Sequence, residues 1–305
     1  MKHSLKIIIL LLVMFFITQL IGLIVASVYA ANNDNIPYGM SPPTDVDPTS
    51  SLISILFAII FAVLLMLLLM RFKTELFLRI WFFLIISLAI GITLNSIFLL
   101  ANIPDISLDF NLFSMTISAF ISIIISIPLA FIKIFKRNIL VHNLTELLIY
   151  PGIAVIFIPL LNLWTVVLLL IFISVYDMYA VWHAGFMQKM AKYQIKNLKV
   201  FSGFLIPYLG KKEMDFVKNA SKKDLKTKKI KINIAILGGG DVVFPLILAG
   251  VVLRQTGVLS ALIVSLGATL TLAFLFYISK KGKFYPAMPF ISIGCFLGLA
   301  LTYII

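Results

Sequence analysis

Three carboxylates stand inside apolar runs of this 305-residue chain: Glu146, Asp177 and Asp241. A carboxylate at membrane depth costs several kcal/mol, so it asks for a function or a partner. Counted along the runs at 162–184 and 232–253, Asp177 stands about 15 residues in and Asp241 about nine, each roughly two turns from the segment joining the runs. Neighbouring antiparallel helices would bring the two to similar depth, facing one another across a wet cavity. Two carboxyls at hydrogen-bonding distance do not both ionise easily, so the pair holds one proton and titrates as a unit. Such a pair is an acid and a base at once. The ionised member takes a proton from water as it attacks a peptide carbonyl, while the protonated member hydrogen-bonds to the substrate and then protonates it. The same pair would serve a transporter as a proton or cation relay, and spacing alone leaves both readings open. Glu146 lies near the basic segment Lys133, Lys136 and Arg137 and has His142 at i, i+4, which gives it a structural role.

The surroundings of the aspartates favour access by a backbone. Gly238, Gly239 and Gly240 remove three side chains immediately before Asp241, and Pro245 cannot donate to the Asp241 carbonyl. Pro286, Ala287, Met288 and Pro289 place two prolines at a helix start, where free amides and carbonyls could meet an extended peptide; an ordinary helix start is the plainer alternative. Lys229, Ile230, Lys231, Ile232, Asn233 and Ile234 alternate polar with apolar, a strand period directly before a membrane run, so Ile232 is a candidate for pairing with substrate. Gly294 and Gly298 form a face for close helix packing.

The elements that position these residues follow from composition. The chain is 62% apolar and 12% charged, with a mean hydropathy of +1.12, which excludes a soluble domain, a disordered chain and a nucleic-acid-binding protein. Nine spans of about 20 residues fit the apolar total. They fall near 5–30, 51–70, 76–101, 110–132, 140–160, 162–184, 232–253, 258–279 and 284–305. Of 25 basic residues, all but Arg254 fall in alternate connections or at the span ends beside them, 13 of them lysines between 189 and 231. The positive-inside rule makes that side cytoplasmic. The expected fold class is an all-α polytopic membrane protein of nine transmembrane helices, amino terminus cytoplasmic and carboxyl terminus extracellular, in the cell membrane. It divides into a six-helix part at 1–184, a basic cytoplasmic loop at 185–231 and a three-helix part at 232–305. The loop's lysines suit anionic lipid, and the apolar stretch 200–209 within it could lie on the membrane surface. The first run also suits a signal peptide, although its length favours a retained span. One cysteine, Cys295, and three scattered histidines exclude a disulfide framework and give no metal or cofactor site.

Residues 172–182 read FISVYDMYAVW, 237–250 read LGGGDVVFPLILAG and 286–294 read PAMPFISIG. In order and spacing these resemble the tyrosine-aspartate, GxGD and PAL motifs of presenilins and signal peptide peptidases, the intramembrane aspartyl proteases. The resemblance is strong over the last four spans; the first five match mainly in number and topology. It implies that Asp177 and Asp241 are the catalytic pair and that Tyr176, Gly238 to Gly240, and Pro286, Ala287 and Met288 lie beside them and help hold substrate. Met288 replaces the usual leucine at conserved volume. The 185–231 loop lacks the long insertion that eukaryotic presenilins cut during maturation, so the chain looks most like single-chain archaeal homologues. The expected partners are therefore single-span membrane substrates and the bilayer. No nucleic acid and no obligatory subunits are expected, and homo-oligomers are allowed. Prepilin peptidases share the membrane dyad but have no PAL segment. A proton-coupled transporter or cation leak pathway would use two buried aspartates but gains no support from duplicated halves. Signal peptide peptidases are expected to put the basic loop on the opposite side, so the charge split favours the presenilin orientation.

Overall fold

In lipid the backbone must satisfy its own hydrogen bonds, and long apolar runs therefore fold as helices. A computed structural model describes residues 5–43, 45–72, 75–103, 107–110, 113–136, 138–184, 200–209, 232–279 and 285–304. Among these residues the order is α1 (Leu5–Ala31), α2 (Pro48–Phe72), α3 (Glu75–Leu100), a β1–β2 hairpin (Ser107–Phe110, Phe113–Thr116), α4 (Ile117–Phe131) and α5 (Ile139–Phe157). There follow α6 (Leu163–Tyr179), β3 (Gly203–Leu209), β4 (Ile232–Gly238), α7 (Gly239–Thr256), α8 (Val258–Ile278) and α9 (Met288–Thr302). Eight of the nine helices are long and apolar enough to cross a membrane, and α9 has 15 residues. Single turns of π-helix extend α4 over Ile132–Lys136 and α6 over Ala180–Ala184.

α7 is the hub, although its span has the lowest mean hydropathy of the eight, 1.2. Its side chains from Val242 to Leu253 are nearly all buried, and it packs against α1, α5, α6, α8 and α9. A central helix meets protein on every side, so its apolar residues face neighbours and it can carry small and polar ones. α2 is the opposite case: only 17% of its span is buried, and Phe57, Ile60 and Phe61 face outward as lipid-facing side chains do. α8 and α9 make the closest pair. A Cβ on Gly267 would collide with the backbone carbonyl of Gly294, so the small residues let two backbones touch. At the end of the molecule where α1 and α7 finish, Arg254 donates to Asp34 at 2.6 Å, and Tyr29 bonds the Ile92 carbonyl and Asn95.

α1 is an integral part of the bundle. It packs on α5, α7 and α8, and its fully buried Gln19 donates to the Val242 carbonyl at 3.0 Å.

The helix starts differ from those read from hydropathy. The run at 232–253 divides into strand β4 and helix α7, the run at 110–132 begins as strands up to Thr116, and the run at 284–305 turns helical at Met288. Hydropathy cannot separate an apolar strand from the helix it leads into. The stretch 200–209 is likewise not a surface segment: Gly203–Leu209 pairs antiparallel with Ile232–Gly238, and Phe204 is fully buried, edge-on to Tyr150 at 5.6 Å. Lys229, Ile230 and Lys231 lie outside the described residues, as does most of 185–231.

Candidate active site

α6 ends, and α7 and α9 begin, around one place. Asp177 sits in the last turn of α6 and is 4% exposed. Asp241 is the third residue of α7, not the ninth of a longer helix, because β4 occupies the preceding positions. The two are near enough for the charge of one to act on the other.

Each carboxyl is held by the start of a helix, where amides lack intrahelical partners. The Met288 N–H, at the start of α9, donates to Asp177 Oδ2 at 3.1 Å, and the Ala287 N–H also bonds that carboxyl. Asp241 turns back to accept from the N–H of Gly238, the N-cap residue of its own helix, which is half of a capping box. Pro286, directly before Ala287, is buried, and Pro289 occupies the second position of α9, where a missing N–H costs nothing. One turn away, Ser174 of α6 and Ser292 of α9 bond at 2.9 Å, fixing the two helices in register. Tyr176, half-buried, precedes Asp177.

The three glycines differ from one another. A Cβ on Gly238 would stand 3.1 Å from Asp241 Oδ2, and one on Gly239 would stand 2.8 Å from both Ser202 Oγ and Tyr150 Cε1. One on Gly240 would meet Phe244 only at an ordinary 3.5 Å. Gly239 is therefore a packing residue, while Gly240, next to Asp241, is exposed and could carry a small side chain without a clash.

β4 leads into this site with one edge free. Among the described residues the sheet has two strands, β3 and β4. On β3 the backbone groups of Gly203 and Leu205 point away from β4, to side chains of α5, and the intervening residues pair with β4. By the alternation of an antiparallel ladder, Ile232, Ile234 and Ile236 direct their backbone groups away from β3. Pro207 falls on the outward series of β3, where no ladder bond is lost.

α5 carries the polar residues that hold β3. Asn143 Nδ2 donates to the Leu205 carbonyl at 2.8 Å and Oδ1 accepts from Leu205 N–H at 3.0 Å. His142 Nε2 lies 2.8 Å from the Gly203 carbonyl, and Glu146 Oε1 accepts from the Gly203 N–H at 3.3 Å. Glu146 is also paired with Lys133 Nζ at 2.5 Å, both side chains almost fully buried, with His142 Nε2 at 3.5 Å. Lys133 thus belongs to the interior rather than to a solvated connection. Glu146 does have a structural partner, but Lys133 is nearer than the His142 read from i, i+4 spacing. Among the described residues no group of three His, Cys, Asp or Glu could hold a metal.

The family described as signal-peptide peptidase, presenilin aspartyl protease matches residues 10–305. The chain belongs to this family. It is accordingly an intramembrane aspartyl protease, and the prepilin-peptidase and transporter readings are not favoured. Two solved structures titled as presenilin family intramembrane aspartate proteases share its fold. One, in space group C222, is 19% identical with a TM-score of 0.61, covering 97% of this chain and 98% of its own. The other, in space group P2, is 20% identical with a TM-score of 0.60, covering 96% of each chain. No curated protein matches the sequence. Asn143, Gln19 and the strand character of residues 203–209 were not singled out from the sequence. Asn143 and Gln19 leave one legible signal, a polar side chain within an apolar run.

Proposed function

We propose that Asp177 and Asp241 are the catalytic dyad, hydrolysing peptide bonds of single-span membrane proteins near the cytoplasmic end of the substrate helix. One observation supports this reading: two carboxyls on different helices lie near enough for the charge of one to act on the other, and each is held by backbone amides at the start of a helix. In this mechanism one carboxylate removes a proton from water as it adds to the scissile carbonyl. The protonated partner hydrogen-bonds to the carbonyl oxygen and then protonates the leaving nitrogen. The amides of Ala287, Met288 and Gly238 hold the carboxyls so that little reorganisation is needed during the reaction.

A substrate helix must unwind before it is cut, and its freed backbone groups then need partners. The outward groups of Ile232, Ile234 and Ile236 are offered to an extended substrate segment, and exposed Gly240, without a side chain, lets that segment reach Asp241. Tyr176 and the Pro286 to Met288 segment flank it. A cavity of about 450 Å³ between α2, α5, α6 and α7, lined by Ile55, Ala58, Ile153, Leu169 and Val243, is of a chemistry to take an apolar segment. The reading includes an amino terminus in the cytoplasm, a carboxyl terminus outside and a cell-membrane location. It also includes the division at 1–184, 185–231 and 232–305, and activity without further subunits. The contact of Arg254, the one basic residue off the rich side, with Asp34 supports the ends of α1 and α7 lying on the same side, as the alternation of basic connections requires.

Purified protein and a fluorescent single-span peptide test the reading. Asp177→Asn and Asp241→Asn should each abolish cleavage with folding retained, since volume is kept and no lone charge is created. Substantial activity in either variant overturns the dyad.

A further inference from the structure

We propose that Asn143 is a positioning residue that sets where the substrate is cut, by completing from α5 the sheet on which substrate is aligned. The inference rests on the strand-addition reading above. An asparagine amide carries the donor and acceptor of a peptide group, and Asn143 gives both to Leu205. Leu205 stands opposite Ile236 in the ladder, and its outward N–H and C=O are the groups that a third strand would bond. Two residues earlier, His142 and Glu146 do the same for Gly203. α5 therefore imitates a strand along β3, ending where Pro207 has no N–H to offer.

This contact reaches the substrate through two strands. An isolated two-stranded ribbon is marginally stable. With the outer edge of β4 kept open, the ribbon is anchored by its backing on α5 and its junction with α7. Gly239 N–H donates to the Ser202 carbonyl at 3.3 Å, so the start of β3 is tied directly to the start of the helix bearing Asp241. Loosening β3 frees β4 to twist against Asp241. A substrate strand can then pair two residues out of register, the smallest slip that keeps both the hydrogen-bond alternation and the faces. A packing residue of similar size would fill the same space and bond neither group of Leu205.

The test measures kcat, KM and product masses for the full-length protein and its Asn143→Ala and Asn143→Asp variants, with the fluorescent single-span peptide. Two lost hydrogen bonds of ordinary strength correspond to roughly a thirtyfold change. Asn143→Ala should raise KM by about that factor with kcat within about twofold, and should yield new product ends two residues from the principal site. Asn143→Asp keeps the acceptor for Leu205 N–H and should give an intermediate shift. If Asn143→Ala does not fold, Asn143→Asp carries the test alone. Unchanged product ends, or a fall in kcat with KM and products unaltered, overturn the proposal. Asp241→Asn run alongside separates the two readings: cleavage surviving there rejects the dyad, whereas the product pattern of the Asn143 variants judges the alignment.

Discussion

Replacing Glu146 by glutamine removes one charge from a pair that has almost no contact with solvent. The side chains of Lys133 and Glu146 are 2% and 1% exposed, at 2.5 Å. Glutamine keeps the volume and an oxygen for the Gly203 N–H, but it leaves the Lys133 ammonium beside Phe82, Ile85 and Ile149 without a counter-charge. Breaking a buried pair from one side costs about 3–5 kcal/mol, so Glu146→Gln should destabilise by that order. Lys133→Met should cost less, towards 3 kcal/mol, because Glu146 keeps Gly203 and His142 as neighbours. The double variant strands neither charge and should stand within roughly 1–2 kcal/mol of the parent, a coupling of about 4 kcal/mol or more. Reversible unfolding of the four proteins in detergent measures this cycle. Activity follows the same logic, since Glu146 holds β3: the double variant should cleave faster than Glu146→Gln. Additive single effects, or a double variant weaker than both singles, would refute the reasoning.

Cleavage should follow a bell-shaped pH profile, because both the doubly protonated and the doubly ionised dyad lack one of the two functions; a flat profile with folding verified at each pH would oppose this. Ile232→Pro should slow cleavage more than Ile232→Ala, since proline removes an N–H directed away from β3, and equal rates would reject strand addition at that position. Gly203→Ala should cost about 1–3 kcal/mol in unfolding measurements, because φ is +150° and the new Cβ would stand 2.5 Å from the Leu237 carbonyl oxygen. Gly240→Ala, whose Cβ would make only an ordinary 3.5 Å contact with Phe244, should stay within about 0.5 kcal/mol of the parent.

The spans, the two acids at the meeting of α6 and α7, and the helix-start prolines were legible because each leaves a local mark: hydropathy, an acid among apolar residues, a proline pair. The start of α7 was only half legible. The alternation around Ile232 pointed to a strand, yet the apolar run continued smoothly into the helix. β3 was hidden because its evidence is non-local: 23 positions separate Leu209 from Ile232, and nothing in residues 203–209 names a partner. Lys133 was misplaced for another reason. Counting basic residues by side assigns a lysine at a span end to water, whereas the carboxylate that draws it inward stands 13 residues further on. Gln19 left a mark, a lone amide in an apolar run, but its acceptor is a backbone carbonyl 223 residues away, which no side-chain pattern reveals.

The hydrogen bond from Met288 to Asp177 spans 111 residues, and it bears on biosynthesis. At translation rates of 5–20 residues per second, the ribosome needs roughly 5–20 s to travel from one partner to the other. Until α9 is inserted, Asp177 is in the bilayer without the amides that hold it, and the site is incomplete. On the dyad reading proposed above, the nascent chain gains proteolytic competence only once the helix that supplies these amides has been inserted.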